Sequence, residues 1–111
     1  MAPVVESFGT TAQTQGGAES TVVSWSTAKT RVVVVDLGLL ADGESCALRV
    51  YNKAASGGSE ILAYEATYLN SVYEDCVLSP PVPVGYAGSF RVIQYAGGSN
   101  RAFPYHIITL D

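Results

Sequence analysis

The chain has 111 residues, which fits one compact domain better than two. Hydrophobic residues make up 48% of it and charged residues 14%, against about 25% charged residues in ordinary soluble domains. The net charge is −4 and the six basic residues are scattered, which argues against nucleic-acid binding because phosphate recognition needs clustered Lys and Arg. The low charge has two explanations: Ser and Thr supply the polar surface, or copies of the chain or a partner cover part of it.

Neither a signal peptide nor a membrane span is expected. Residues 1–8 lack a basic start and contain Glu6, and the longest aliphatic run, Val32 to Val35, is closed by Asp36. We therefore expect the chain to be made and folded in a reducing cytosol.

The two cysteines, Cys46 and Cys76, match no metal-ligand spacing. Since free cysteine is among the most buried residue types, both are expected to be small buried side chains. A disulfide is the alternative if the protein acts outside the cell.

Residues 1–19 predict an extended N-terminal arm, and residues 20–111 the folded domain. The arm starts with an apolar patch, Val4, Val5 and Phe8, and continues as a polar stretch with two glycines. This patch could pair as an edge strand or dock on a neighbour. We favour docking, because an apolar patch ahead of a flexible tether would otherwise be exposed.

The domain itself is predicted to be all-β. Six or seven strand-forming runs separated by turn residues indicate a single β-sandwich with jelly-roll or immunoglobulin-like topology. Trp25 is expected to anchor the core, with a sugar-stacking surface as the alternative. The run Val32 to Val35 predicts a strand buried on both faces, at a sheet centre or a subunit contact.

Turn residues predict how the strands connect. Residues 89–110 predict a closing β-hairpin around a Gly-Gly turn, with Pro104 indicating an edge or bulged strand. The Asp42-Gly43 pair predicts another tight hairpin turn. Residues 79–84 contain three prolines and predict an extended crossover outside any sheet interior.

The sequence shows no catalytic or metal-binding constellation. Its single histidine, His106, could face solvent, bind a hydroxyl at an interface or act as a base, and the first two are preferred because no motif supplies a nucleophile. Glu74 and Asp75 are adjacent, so on a strand they point to opposite faces. Asp42 and Glu44 are expected to be solvated turn acids. We therefore expect a protein that is not an enzyme and takes no cofactor or metal.

Two segments carry a family resemblance. They are Ser79-Pro80-Pro81-Val82-Pro83-Val84-Gly85-Tyr86 and Gln94-Tyr95-Ala96-Gly97-Gly98-Ser99-Asn100-Arg101-Ala102-Phe103-Pro104-Tyr105. In these the chain resembles small bacteriophage virion proteins, which combine a proline-rich crossover with a Gln-x-Ala-Gly turn followed by Arg-x-Phe-Pro-aromatic.

The resemblance implies a capsid decoration, or cement, protein: a non-enzymatic β-sandwich, often trimeric, that sits on the outer capsid surface of the virion. The partners would be the major capsid protein and copies of the chain itself, with no nucleic acid and no membrane. The expected partner contacts are Val4, Val5, Phe8, Tyr86, Asn100 and Arg101. Deletion of residues 1–16 is expected to abolish capsid attachment while leaving the domain folded. The alternatives are a tail, neck or fibre-associated module, and a carbohydrate-binding module using Trp25 or several of the seven tyrosines.

Overall fold

Two antiparallel β-sheets make up the fold in the computed structural model, which describes residues 3–10, 19–38, 44–55, 57–69, 76–84, 86–95 and 102–110. These residues contain nine strands and no helix. The strands are β1 (Val4–Thr10), β2 (Glu19–Trp25), β3 (Lys29–Asp36), β4 (Ser45–Lys53), β5 (Glu60–Leu69), β6 (Cys76–Leu78), β7 (Val82–Val84), β8 (Gly88–Gln94) and β9 (Pro104–Thr109). The first sheet has the order β1-β9-β3-β6, with β7 also paired to β3, and the second has the order β2-β8-β4-β5.

The core lies between the two sheets. Alternate residues of β3 and β9, such as Val33 and Ile107, point into the same buried cluster as Leu48 of β4 and Phe90 of β8. The Phe90 ring packs against Tyr105 with their centroids 5.9 Å apart, which joins the two sheets directly. The all-β, β-sandwich-like expectation is therefore confirmed.

Two further predictions about the core are confirmed. Trp25 is buried in the core cluster, with the Arg31 guanidinium 4.8 Å from its ring centroid. The run Val32 to Val35 lies on β3, which is an inner strand of the first sheet, and three of its four valines are buried. Burial of consecutive residues means that both faces of β3 are partly covered.

The predicted C-terminal hairpin is wrong. β8 pairs with β2 and β4 in the second sheet, whereas β9 pairs with β1 and β3 in the first. The two strands face each other across the core through Phe90 and Tyr105 instead of sharing backbone hydrogen bonds. Pro104 is consequently not on an edge strand: it is the first residue of the inner strand β9, a position where a missing backbone donor is tolerated.

The turn predictions had mixed outcomes. The strands on either side of Asp42-Gly43, β3 and β4, lie in different sheets, so a hairpin at that position is also wrong. β4 and β5, by contrast, are neighbours in the second sheet, where a bulge sets Tyr51 opposite Leu62, so that Leu62 and Tyr64 lie on opposite faces.

The proline-rich segment does stay out of any sheet interior. Its short strand β7 pairs with β3 alone, on the side where β6 also pairs. The chain then crosses to the second sheet, where the Lys53 amide donates a hydrogen bond to the Ala87 carbonyl over 3.0 Å.

Glu44 differs from its expected solvated position, because it is 1% exposed. Its predicted companion Asp42 lies outside the described residues. The acid that follows the Asp-Gly pair is therefore part of the packed structure at the start of β4.

The N-terminal patch forms an edge strand, which is one of the two placements that the sequence allowed. β1 pairs with β9 along the margin of the first sheet, with a bulge between Val5 and Ser7. Residues 11–18 lie outside the described residues, so the flexible part of the predicted arm stays a prediction.

Candidate interaction surface

The described residues contain no cluster of side chains suited to holding a metal ion. Among them, no three His, Cys, Asp or Glu side chains lie close enough together to hold a metal ion. None of the described segments forms a helix that could cross a membrane. Cys46 is buried as expected, and burial raises the pKa of its thiol to about 12, so it stays protonated. Cys76 is exposed, so its predicted burial is wrong.

The outer face of the second sheet carries a network of ion pairs, and the residues of this network are here called the ionic face. It consists of Glu19, Arg49, Tyr51, Glu60, Glu65, Ser89 and Arg91. The strand register explains this arrangement, because Arg49 of β4 lies opposite both Arg91 of β8 and Glu65 of β5. Two neighbouring arginines would repel each other if the carboxylates did not lie beside them.

Glu19 is the central acid of the ionic face. Its two carboxylate oxygens accept hydrogen bonds from Arg49 and Arg91, each over 3.0 Å, and from the Tyr51 hydroxyl over 2.7 Å. Burial raises the pKa of Glu19, but the three donors together outweigh it and hold the pKa below its ordinary value of 4.5.

The remaining charges of the ionic face are paired as well. Arg91 donates to Glu60 over 3.2 Å and stacks on the Tyr51 ring at 4.1 Å, and Arg49 donates to Glu65. The charges of this face therefore satisfy one another while its surface remains in contact with water.

The outer face of the first sheet is apolar. Cross-strand register aligns Phe8, His106, Val34 and Leu78 in one row across β1, β9, β3 and β6, and Val5, Ile108 and Val32 in the next. These seven residues point away from the core, because their strand neighbours, such as Val33, Val77 and Ile107, point into it. We call this surface the outer apolar face.

Three of these side chains are largely exposed: Phe8 at 80%, Leu78 at 60% and Val5 at 54%. The seven include no Asp, Glu, Lys or Arg. The nearest described charge in the same alternation is Asp36, one row further along β3, whose carboxylate accepts a hydrogen bond from the Gly38 amide. Exposed apolar side chains grouped in this way usually mark a surface that another molecule covers.

His106 lies inside the outer apolar face, paired across the sheet with Phe8 on one side and Val34 on the other. It is half-buried. This position fits a polar contact within an apolar interface, one of the roles that the sequence left open for this residue.

The predicted contact residues are only partly brought together. Val5 and Phe8 lie on the outer apolar face, whereas Val4 is exposed on the same strand but lies opposite the inward-facing Thr109. Tyr86 is half exposed in the crossover between the sheets. The other two predicted contacts, Asn100 and Arg101, lie outside the described residues.

Five residues of the outer apolar face were missed: Val32, Val34, Leu78, His106 and Ile108. The sequence did contain a signal for Val32 and Val34, because the unbroken valine run predicted a strand with no solvent-exposed face. What the sequence could not show was that β1 and β6 align with this strand.

A buried ion pair fixes the edge strand β1 to the rest of the fold. Arg31 is 1% exposed, and its guanidinium donates to both carboxylate oxygens of Glu6, over 2.7 and 2.9 Å. It also donates to the carbonyl and the hydroxyl of Thr27, over 2.9 and 2.7 Å. β1 is therefore tied to the folded domain, so deletion of residues 1–16, expected to leave the domain folded, would remove a paired strand and the carboxylate partner of Arg31.

Comparison with known proteins adds no relative: no protein-family model, curated protein or solved structure matches the chain.

Proposed function

We propose that this protein is a non-enzymatic capsid decoration protein of a bacteriophage, and that it binds the outer capsid surface through its outer apolar face. The observation that supports this attachment surface is the contrast between the two sheets: one outward face groups exposed apolar side chains, whereas the other carries a network of paired charges. The phage context rests on the resemblance in residues 79–86 and 94–105. Within this proposal the two sheets form a jelly-roll or immunoglobulin-like sandwich.

The contrast has a physical consequence for attachment. Covering apolar surface is favourable by roughly 25 cal/mol per Å², so a partner gains by seating on the outer apolar face. Covering the ionic face would instead remove paired charges from water. The protein would thus present its apolar side to the capsid and its ionic face to solvent, and many weakly bound copies would together hold the capsid.

The test is a charge placed on the outer apolar face. Leu78→Asp alters an exposed side chain on β6, and Leu62→Asp makes the same change at an exposed leucine of β5 in the second sheet. Purified particles lacking the protein are incubated with each variant, and bound copies are counted by quantitative mass spectrometry. We expect at least about a tenfold loss of affinity, about 1.4 kcal/mol, for Leu78→Asp and near-normal occupancy for Leu62→Asp.

Equal occupancy by both variants would refute attachment through this face. Binding that is confined to a few copies at the tail or neck would favour a tail- or neck-associated module over a capsid decoration. For the carbohydrate-binding alternative, Trp25 offers no stacking surface, because it is buried beneath Arg31.

A further inference from the structure

We infer that two copies of this chain pair through the outer edge of β1, antiparallel, so that the first sheet continues across a twofold axis. The pairing concerns the free protein and goes beyond the proposed capsid attachment.

The first argument is the position of β1. It lies at the margin of the first sheet, and its hydrogen-bonded neighbour is β9. Among the described residues, no strand pairs with its other side. A strand in that position presents a row of backbone donors and acceptors that an added strand can satisfy.

The second argument is charge. The sole ionisable side chain of β1 is Glu6, and both of its carboxylate oxygens are engaged by Arg31. Edge strands are normally guarded by charged side chains, lysine above all, and β1 has no other charge. A chain with a net charge of −4 can therefore approach its own copy along this edge with little local repulsion.

The other described edges are better protected. β5 carries Glu60 and Glu65, whose partners Arg91 and Arg49 lie at the surface, unlike the buried Arg31 that holds Glu6. Pairing β5 with its own copy would therefore bring four partly exposed carboxylates together. β2 begins at Glu19 and is rich in hydroxyl side chains. β6 and β7 have three residues each, too few for a long ladder. β1, with seven residues, is the edge that offers both length and low charge.

The third argument is symmetry. An identical strand laid antiparallel beside β1 makes the same contacts in both directions, so one twofold axis satisfies both copies and closes the assembly. Val5 and Phe8 of each copy would then lie beside the partner's β1, and the two outer apolar faces would join into one surface. The family resemblance implies a trimer instead. In this pairing the β1 edges of two copies occupy each other, so a third copy would have no free β1 edge to bind.

The experiment measures the mass of the free protein by native mass spectrometry and sedimentation, at tens of micromolar and without particles. We expect a dimer for the wild type. Phe8→Lys should weaken the dimer at least about tenfold, because it places a cation from each copy at the shared edge. The matched control Leu62→Lys, on the edge strand β5, should remain dimeric, and so should Leu78→Asp, which lies away from β1.

Hydrogen exchange on the wild type gives an independent measurement that does not depend on a variant folding. Amides of β1 should become more protected as the protein concentration rises through the dimerisation range, while amides of β5 should not change. A wild-type monomer or trimer, or a dimer that Phe8→Lys leaves intact and Leu62→Lys disrupts, would overturn the inference. Since the capsid test uses Leu78→Asp and this one uses β1, either proposal can fail without the other.

Discussion

At the scale of single residues, the most constrained group is the Arg31 guanidinium. A charge that is 1% exposed is costly to hold unless its donors are paired, and here Glu6 and Thr27 accept from all three nitrogens. The hydrogen bonds from Arg31 hold the pKa of Glu6 below its ordinary value of 4.5, although partial burial of the carboxylate opposes this. The pair therefore links the stability of the fold to pH.

We predict that Glu6→Gln lowers the free energy of unfolding by about 1–2 kcal/mol at neutral pH. The substitution removes the carboxylate charge that pairs with Arg31, and the effect is moderate because the Glu6 side chain is partly exposed. Glu6 has a lowered pKa in the folded state, so its contribution is complete above 4.5 and is lost as pH falls through that lowered value. The difference in the free energy of unfolding between wild type and Glu6→Gln should therefore become smaller at acidic pH. Urea unfolding at neutral and acidic pH measures it.

The matched control for this prediction is Glu65→Gln, which removes a more exposed partner from Arg49. Glu65→Gln should lower the free energy of unfolding by less than about 1 kcal/mol, because surface ion pairs generally contribute no more than that. The role assigned to the buried pair would be contradicted if both variants lost the same free energy of unfolding. It would also be contradicted if the difference between wild type and Glu6→Gln did not depend on pH.

At the scale of strands, the sequence predicted where most strands lie better than how they pair. Apolar runs and turn residues are local signals, and they placed strands at Val32 to Val35 and within residues 89–110, which correspond to β3, β8 and β9. Whether the chain turns back into the same sheet or crosses to the other depends on the whole core, and the predicted β8-β9 hairpin failed for that reason. Phe90 and Tyr105 do meet, but across the core.

The edge strand β1 gives the second prediction. Deleting residues 1–10 removes Glu6 from the buried Arg31 and uncovers the edge of β9, so we expect a loss of at least about 3 kcal/mol in the free energy of unfolding. The same deletion in an Arg31→Met background should cost less, because no buried charge is left without its carboxylate partner. Urea unfolding of the four proteins measures both effects. A deletion that leaves stability unchanged would show that β1 behaves as a separate arm.

At the scale of the whole molecule, charge is divided between the two outward faces. The low charge content of the sequence had two explanations, and this division favours a covered surface for the first sheet. Part of the candidate surface could be predicted, because Val5 and Phe8 stood out as an apolar patch. Leu78 and His106 could not, since they join that patch only through the pairing of β1, β9, β3 and β6.

The third prediction follows from that division. If the outer apolar face attaches the protein to capsids, binding should change less than about threefold between about 0.05 M and about 0.5 M NaCl, because screening acts on charges and this face has no Asp, Glu, Lys or Arg. Ammonium sulfate should strengthen binding, since salts excluded from protein surfaces favour apolar burial. Occupancy on particles at each salt concentration measures both effects. Steep loss of binding in NaCl would instead assign attachment to the ionic face, where Arg49 and Arg91 are the available cations.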